Sequence, residues 1–164
     1  KDTPCPDPAE AVKTEAASSI LLQLLFGKSS EFYTRYYESG LINDRFSAEY
    51  EQVSGCAHTI VAGTSEDPDA VRDAVLGEIE KRRARFFDRA SFERAKRALY
   101  AEHLSIYDST EQTANRFISF LFDGCDLLDY PQVLAGVTYE DVQERLERAF
   151  QSERCALSVV LPKE

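Results

Sequence analysis

The chain has few of the residues that metal and phosphate chemistry requires. Its 164 residues include only two histidines, and neither His58 nor His103 lies in an H-x-x-E-H or H-E-x-x-H motif, the spacings that place two imidazoles around zinc. The phosphate-loop, dinucleotide and nucleophile-elbow motifs G-x-x-x-x-G-K-[ST], G-x-G-x-x-G and G-x-S-x-G are also missing. We therefore expect no catalytic residue, no metal site and no cofactor in this chain.

Positive charge is also scarce. Lys and Arg total 19 against 29 Asp and Glu, which gives a net charge of -10 and a pI near 4.8. Neutralising phosphates requires an excess of Lys and Arg, so this balance predicts no nucleic-acid partner. The longest apolar run, Ile20 to Phe26, is broken by Gln23 and falls far short of the ~20 residues that cross a bilayer. We expect no membrane partner either.

Methionine and paired cysteines are absent. The length of 164 residues predicts a single domain over residues 1–164, and without any Met the chain is expected to be an excised piece of a longer protein. The four cysteines are far apart and form no C-x-x-C pair, which excludes a dense disulfide scaffold and a zinc ribbon. This usage favours buried or incidental thiols in a reducing cytoplasm.

The first half of the chain predicts two helices that meet at a corner. Asp7-Pro8 is a strong helix start, because Asp can accept from first-turn amides and Pro is pre-set for the first helical position. The helix should run to about Phe26, with Gly27 as the left-handed residue that commonly follows a helix end. Ser29 or Ser30 then caps the second helix.

Three segments have strand patterns. Apolar and polar residues alternate over 46–50, and a turn at Ser54-Gly55 leads to a second strand at Cys56–Ala62, which predicts a β-hairpin. A last strand is expected at Ala156–Leu161, before Pro162.

Four further helix starts follow the hairpin. Asp67-Pro68 opens a helix that should fade near Arg85, a long helix fits Arg89 to Tyr107, and Thr138 starts the last helix. Between them, Ser109 begins a capping box for a helix that should pack antiparallel to the long one. The expected packing face of that helix consists of Phe117, Ile118, Leu121 and Phe122.

The element order predicts an α+β fold, with helices on one face of a small, mainly antiparallel sheet. Three strands make a thin sheet for this many helices. We therefore expect either a missing strand upstream of Lys1 or a sheet edge completed by another domain or subunit.

Two local groupings allow a functional and a structural interpretation. Cys56 and His58 share one face of a strand and could form a nucleophile pair, although no oriented base or oxyanion site accompanies them. His103 lies near Glu102 on the apolar side of a helix and is expected to be a hydrogen-bonded residue at the core edge. The one basic cluster is interpreted as a solvated helix end with acidic partners such as Glu78; its members are Lys81, Arg82, Arg83, Arg85 and Arg89.

The run from Leu24 to Tyr50 carries a resemblance to a known family. It contains, in order, Leu25-Phe26-Gly27-Lys28-Ser29-Ser30, Tyr36-Tyr37-Glu38, Gly40-Leu41-Ile42 and Phe46-Ser47, with further support downstream in Phe92-x-x-x-Lys96 and Ala114-Asn115-Arg116-Phe117. With these residues the chain resembles the C-terminal, non-catalytic domain of the pitrilysin/insulinase-type zinc metallopeptidases, in particular their bacterial YmfH-like branch.

The resemblance implies an α+β domain of the LuxS/mitochondrial processing peptidase-like kind. In that family the zinc motif belongs to an N-terminal domain, so zinc is expected only there, and this chain would be the half that pairs with it or with a homologous subunit around a peptide. Active relatives carry an Arg and, seven residues later in the sequence, a Tyr. These two residues bind the substrate. Aligning on Gly40-Leu41 places Tyr37 and Asn43 near those positions, and Arg35 or Arg45 could supply the cation.

Three hypotheses follow from the sequence. The first is a non-catalytic domain of a zinc-dependent peptidase-like protein, whose parent could be a zinc metalloendopeptidase. The second is a stand-alone interaction module that binds a partner through its incomplete sheet edge. The third is an enzyme that uses the Cys56 and His58 pair. The first requires a preceding domain of similar size.

Overall fold

The α+β prediction is confirmed, with helices packed against a small antiparallel sheet. A computed structural model describes residues 1–53, 55–122 and 124–161. Over these residues the α-helices and strands are α1 (Pro8–Phe26), α2 (Glu31–Glu38), β1 (Ser47–Val53), β2 (Cys56–Ala62), α3 (Pro68–Ala84), α4 (Arg89–Ser105), α5 (Thr110–Phe122), α6 (Tyr130–Gly136) and α7 (Tyr139–Arg148). Short 3-10 turns lie at Ile106–Asp108 and Ser152–Arg154.

Helix α1 is the centre of the core. It starts as the sequence predicts, because the Asp7 side chain accepts from the backbone N–H of Ala9 at 3.0 Å and Pro8 occupies the first turn. Ile20 and Leu25 are fully buried, and α1 packs against β1, α4, α6 and α7. Because it is covered on several sides, α1 is apolar around most of its circumference rather than along one stripe.

Gly27 ends α1 differently from the expected left-handed cap, so that prediction is wrong. Its φ is -59° and its ψ 154°, values open to any residue. Glycine is required here because any larger residue would clash with the helix: a Cβ at this position would lie 2.5 Å from the carbonyl oxygen of Gln23. Of the two proposed caps for α2, Ser30 is the one that forms, since its Oγ accepts from the N–H of Tyr33 at 3.0 Å.

The predicted hairpin is confirmed. β1 and β2 pair antiparallel, with Tyr50 opposite Thr59 and Glu51 opposite His58; Ser54, part of the predicted turn, lies outside the described residues. Tyr50 and Ala57 are buried on the face that meets α1, whereas Glu51 lies on the opposite, exposed face. Helices therefore cover one face of the sheet, as the α+β pattern predicts.

The third strand, expected at Ala156–Leu161, is absent from the structure. Within the described residues the sheet has two strands, and residues 155–161 have no regular secondary structure although their sequence alternates. A strand is defined by the hydrogen bonds it exchanges with a neighbour, and within the described residues this segment pairs with neither β1 nor β2. Pro162, the expected strand end, is outside the described residues.

Helix α5 also departs from the prediction. Phe117, Ile118, Leu121 and Phe122 are exposed, and Phe120 is the residue of this helix that is buried. Helix α4 packs mainly on α1 and α6 rather than antiparallel to α5, because its buried stripe of Phe92, Ala95 and His103 is directed at those helices.

The C-terminal helix closes the core as predicted. Thr138 and Asp141 form a reciprocal capping box at the start of α7, and Val142 and Leu146 are fully buried. Among residues 1–53, 55–122 and 124–161, none of the helices combines the length and apolar character needed to cross a membrane.

Candidate peptide-facing corner

The corner formed by α2 and the loop to β1 is anchored by aromatic packing. Phe32 is buried, with its ring centroid 5.0 Å from that of Phe26 and 5.6 Å from that of Phe46. The loop folds back on the helix, since the N–H of Ile42 donates to the Tyr36 carbonyl at 3.2 Å, and Gly40 adopts a φ of 77° that favours glycine. The LFG-K-SS and GLI runs thus build a fixed corner.

Tyr37 projects from this corner with a defined orientation. Its ring stacks on that of Tyr33 at a centroid distance of 5.5 Å and an interplanar angle of 14°, and Tyr33 is itself buried against Phe46. Half of Tyr37 remains exposed. A ring held by stacking loses little entropy when it binds a ligand, so Tyr37 is suited to contact a partner or peptide.

Arg35 lies on another side of α2. Two residues along a helix correspond to about 200° around its axis, so Arg35 and Tyr37 point in nearly opposite directions. Arg35 lines a shallow depression together with Glu31, Thr34 and Glu38, and its guanidinium carbon is 5.5 Å from the Tyr36 ring centroid. Its guanidinium makes no ion pair within the described ranges.

Asn43 and Arg45 lie in the loop that follows. The Asn43 side chain accepts from the backbone N–H of Arg45 at 3.0 Å, and the Asn43 carbonyl accepts from Phe46, so Asn43 shapes the turn into β1. The Arg45 side chain is exposed. The predicted residues therefore do not form one cluster: Tyr37 and the loop share the corner, whereas Arg35 faces the depression.

The basic cluster at the end of α3 has the acidic partners that the sequence predicts, and one more. Arg82 Nε pairs with Glu78 at 2.6 Å, and Lys81 pairs with Glu78 at 3.2 Å. Arg82 also reaches across to Glu31 at 2.7 Å, tying α3 to the first turn of α2. The hydrogen bond from Arg82, with that from Lys81, lowers the pKa of the Glu31 carboxyl. These ion pairs stabilise the corner, and the side chains that form them are already paired with one another.

The Cys56 and His58 pair lies on the outer face of the hairpin. Cys56 Sγ is 4.0 Å from His58 Nδ1, and His58 Nε2 is 3.3 Å from a Glu51 carboxylate oxygen. The order thiol, imidazole, carboxylate matches a triad, but Cys56 and Glu51 are exposed, and none of the three residues lines the pocket that the N-terminal segment, α1, α5 and the hairpin turn form. Activation of a thiol for catalysis requires a site that holds the developing oxyanion, and none accompanies this pair in the described structure.

His103 has the role expected from the sequence. It is buried, its Nε2 lies 3.2 Å from the Tyr107 hydroxyl, and its ring is 4.6 Å from that of Tyr130. Burial lowers the pKa of His103, and the positive charge of Arg116 lowers it further. A neutral imidazole that bridges helices fits this environment.

Arg145 is a central residue that the sequence does not reveal. Its Nε donates to Ser18 Oγ at 2.7 Å, its Nη2 pairs with the carboxylate of Asp2, and its guanidinium lies over the Tyr50 ring. Its side chain is 11% exposed. No local pattern marks it, because Asp2 and Ser18 are more than a hundred positions away.

No metal centre can be built from the described residues. Among them, no group of three or more His, Cys, Asp and Glu side chains is placed to hold an ion. No disulfide joins the cysteines there; Cys5 and Cys125 are half-buried, and Cys56 and Cys155 are exposed, so of the two expected kinds, buried or incidental thiols, these are incidental. The residues present do not fit a zinc ion, and no step through zinc is assigned to this chain.

Comparison with solved structures gives the fold. A protein described as an M16-like peptidase from Alicyclobacillus acidocaldarius superposes with a TM-score of 0.78 and 27% identity, over 85% of this chain and 34% of that one. A protease from Helicobacter pylori matches with a TM-score of 0.67 and 20% identity, over 82% and 34%. A protein described as a zinc protease from Bordetella pertussis Tohama I matches with a TM-score of 0.65 and 14% identity, over 88% and 82%.

Comparison of sequences gives the family. The uncharacterized zinc protease YmfH of Bacillus subtilis (strain 168) is 29% identical over 154 residues, which span 94% of this chain and 36% of that protein. The chain thus spans about a third of the length of the curated relative it matches. The profile described as the peptidase M16 inactive domain matches residues 4–99, more than half of the chain. The chain belongs to the peptidase M16 family, as an inactive domain of zinc protease-like proteins.

Proposed function

We propose that this domain pairs with a catalytic-type M16 domain, or with a homologous subunit, and that the pair encloses a peptide substrate. The observation that carries the proposal is the match of an inactive-domain profile over residues 4–99, in a chain that covers 36% of a relative called a zinc protease. The larger, uncovered part of that relative has room for a catalytic domain. The parent protein would then be a zinc metalloendopeptidase, with the zinc in that other domain.

The contribution of this domain to such a reaction is enclosure and orientation. Two domains that close around a peptide exclude water and hold the scissile bond in a reactive position. This requires a rigid surface more than it requires reactive groups. Zinc, when bound in the partner domain, would supply the activated water; among the described residues of this domain, no group of His, Cys, Asp and Glu side chains is placed to hold a metal ion.

The corner is the proposed contact surface for the peptide. Tyr37 is ordered by stacking yet half exposed, and the guanidinium groups of Arg35 and Arg45 make no ion pair within the described residues, so they are available to carboxylates. Asn43 fixes the loop that presents Arg45. Because Arg35 points away from Tyr37, a peptide that contacts both must wrap around α2.

A cytoplasmic location belongs to the same proposal. No disulfide joins the cysteines of the described residues, and a reducing compartment keeps exposed thiols such as Cys56 and Cys155 in that state.

A chimera tests the proposal. The segment of YmfH that this chain matches is replaced by this chain, the protein is loaded with zinc, and cleavage of quenched fluorescent peptides is compared with that by intact YmfH. We expect cleavage by the chimera, and a fall in kcat/KM of about tenfold for Tyr37→Ala or Arg35→Ala, equivalent to ~1.4 kcal/mol of transition-state stabilisation. Tyr100→Ala removes a tyrosine on α4 that is 37% exposed, against 50% for Tyr37, and should leave cleavage unchanged.

Two results would contradict the proposal. One is a folded, zinc-loaded chimera that cleaves no peptide that intact YmfH cleaves. The other is a set of corner variants as active as the unsubstituted chimera, which would remove the assigned surface. Circular dichroism and zinc content, measured on each variant, separate these results from misfolding.

The stand-alone interaction module is the second candidate, since in the described residues β2 has a partner strand on one side only, and its other edge, bridged by Asp2 at Ala57, could accept an extended partner. It predicts that the isolated chain captures extended peptides and does not associate with the part of YmfH outside the match.

A further inference from the structure

The outer face of the hairpin carries a thiol, an imidazole and a carboxylate in one row. Cys56, His58 and Glu51 project from the face that points away from α1, whereas Tyr50 and Ala57 are buried on the opposite face. The strand pairing places Glu51 directly opposite His58, and Cys56 comes two residues before His58 on β2. Residues two apart along a strand share a face, so the sheet itself makes these three side chains neighbours.

The distances connect the three groups in order. Cys56 Sγ lies 4.0 Å from His58 Nδ1, and His58 Nε2 lies 3.3 Å from a Glu51 carboxylate oxygen. The imidazole thus faces the thiol with one nitrogen and the carboxylate with the other. A ring nitrogen in this position can accept the proton of the thiol, and the carboxylate on the far side stabilises the imidazolium that results.

The other cysteines have different surroundings. Cys5 and Cys125 are half-buried, and Cys155 is exposed in a segment without regular secondary structure. The chain contains one more histidine, His103, and it is buried between helices. In the part of the chain that the structure describes, Cys56 is the cysteine that combines exposure with an imidazole beside its sulfur.

Exchange between a thiol and a disulfide requires less from its surroundings than acyl transfer does. A thiolate attacks one sulfur of the disulfide and a second thiolate leaves, so no oxyanion site is needed. The rate depends on how readily the thiolate forms and on how freely the reagent can reach it. Cys56 is exposed, and Val53, its partner across the strand pair, is 62% exposed. This end of the hairpin is therefore open to a small molecule.

We propose that Cys56 is a modification site that exchanges with the small linear disulfides of low-molecular-weight thiols. Its Sγ attacks one sulfur of the disulfide, forms a mixed disulfide with the protein and releases the other half as a thiol. The proton of Cys56 passes to His58 and from there to the leaving thiolate. Glu51 is a positioning residue, because it holds the imidazole beside the thiol. The small disulfide is the oxidant: Cys56 is oxidised, and the released half is reduced.

This modification goes beyond the proposed pairing and peptide enclosure. None of the residues of the peptide-facing corner belongs to the row on the hairpin. The attached group lies on the outer face, whereas Tyr50 and Ala57 form the face that meets α1, so the core is left intact. A second free thiol can attack the mixed disulfide and restore Cys56, which makes the change reversible.

The rate of modification at each cysteine of the whole chain tests the proposal. The probe is bis(hydroxyethyl) disulfide, which is uncharged and so is not repelled by the net charge of -10. Samples are quenched with acid at intervals, and peptide mass spectrometry gives the extent of reaction. We expect Cys56 to react about tenfold faster than Cys155, the other exposed cysteine. In urea, the four cysteines of the unfolded chain should react at rates within about threefold of one another.

Two substitutions and a matched control separate the row from exposure alone. His58→Gln removes the imidazole and should slow the reaction at Cys56 by about tenfold, with no change at Cys155. Glu51→Gln should slow the reaction at Cys56 by about threefold, as expected for the loss of an exposed ion pair. Glu49→Gln removes a carboxylate two residues away on the same exposed face and should leave the rate unchanged.

Ultraviolet absorbance of the thiolate gives a second measurement, which a purely structural role of the row would not alter. The thiolate absorbance that Cys56→Ser removes at neutral pH should fall in His58→Gln and in Glu51→Gln, and should persist in Glu49→Gln. Circular dichroism of each variant shows that it is folded.

Three results would overturn the proposal. One is a folded chain in which Cys56 reacts no faster than Cys155, which would show that the row does not activate the thiol. Another is a His58→Gln chain in which Cys56 reacts as fast as in the parent, which would leave exposure as the cause of the rate. The third is an equal effect of Glu49→Gln and Glu51→Gln, which would assign the effect to surface charge rather than to contact with the imidazole.

Discussion

The guanidinium of Arg145 lies over the ring of Tyr50, with 5.0 Å between the guanidinium carbon and the ring centroid. The same group bonds Ser18 in α1 and Asp2 before it. One cation therefore connects α7, β1, α1 and the N-terminal segment. Because Asp2 also bridges to Ala57 in β2, Arg145 supports the position of the N-terminal segment against the hairpin.

Replacing Arg145 should destabilise the domain markedly. Arg145→Ala leaves the largely buried Asp2 carboxylate and the Ser18 hydroxyl without this partner, and we expect a loss of about 2–4 kcal/mol in the free energy of unfolding. The measurement is urea unfolding followed by circular dichroism. Arg148→Ala, one turn away and 75% exposed, is the control and should change stability by less than about 0.5 kcal/mol. Equal losses in both variants would contradict this role for Arg145.

Replacing glycine by alanine should have opposite effects on the stability of the protein at two positions. At Gly27 a Cβ would lie 2.5 Å from the Gln23 carbonyl oxygen, so Gly27→Ala is expected to cost about 2–3 kcal/mol. At Gly77, inside α3, nothing lies within 4 Å, and Gly77→Ala should stabilise the protein by about 0.5–1 kcal/mol. Thermal unfolding of the two variants measures the difference. A Gly27→Ala protein as stable as the parent would show that the corner can relax around the methyl group.

The stability of the domain should depend on pH through His103. Its pKa is lowered in the folded state, so the unfolded chain, with a His pKa of about 6.5, binds more protons just below that pH. The contribution of neutral, buried His103 to the free energy of unfolding is fully present above about pH 6.5. It is lost as the pH falls towards the folded-state pKa of His103. His103→Gln should reduce the slope of unfolding free energy against pH just below about pH 6.5. Identical slopes for His103→Gln and the parent would contradict the assignment.

The isolated chain should bind no stoichiometric zinc. The nearest approach to a ligand set, formed by Glu51, Cys56 and His58, is open to solvent, and no group of three ligating side chains among the described residues is placed to hold an ion. Elemental analysis after purification without chelator tests this, with Cys56→Ser as the matched variant. One tightly held zinc per chain that disappears in Cys56→Ser would contradict the prediction.

The parts of the fold that follow from local chemistry can be predicted from the sequence. The starts of α1 at Asp7-Pro8 and of α7 at Thr138 depend on contacts within three residues, and both form as expected. The hairpin is similarly local, because its turn and alternation are adjacent in the chain.

The parts that depend on distant partners cannot be predicted in this way. Residues 155–161 have the alternating pattern of a strand, but within the described residues they pair with neither β1 nor β2. The apolar face of α5 is exposed, because no helix among the described residues covers it. Arg145 has no sequence signal because its partners are far along the chain. Lys96, part of the family resemblance, has a visible role only in the structure, where its Nζ donates to the carbonyls of Ala135 and Val137 at the end of α6.

The site is less predictable from the sequence than the fold. The resemblance places Tyr37 and Asn43 in one corner, and the structure gives that corner a rigid aromatic support. Arg35 and Tyr37 are two residues apart on α2 and therefore point to nearly opposite sides of the helix. An alignment of the corner residues does not show this separation. Their contact with peptide remains a prediction.

Domain pairing is tested most directly by sedimentation velocity of this chain mixed with the part of YmfH that lies outside the match. The account predicts a one-to-one complex that forms at micromolar concentration or below, as expected for a specific interface between domains. Two species that sediment independently at tens of micromolar, with both proteins folded, would contradict the claim that this inactive domain acts by pairing with a catalytic-type partner.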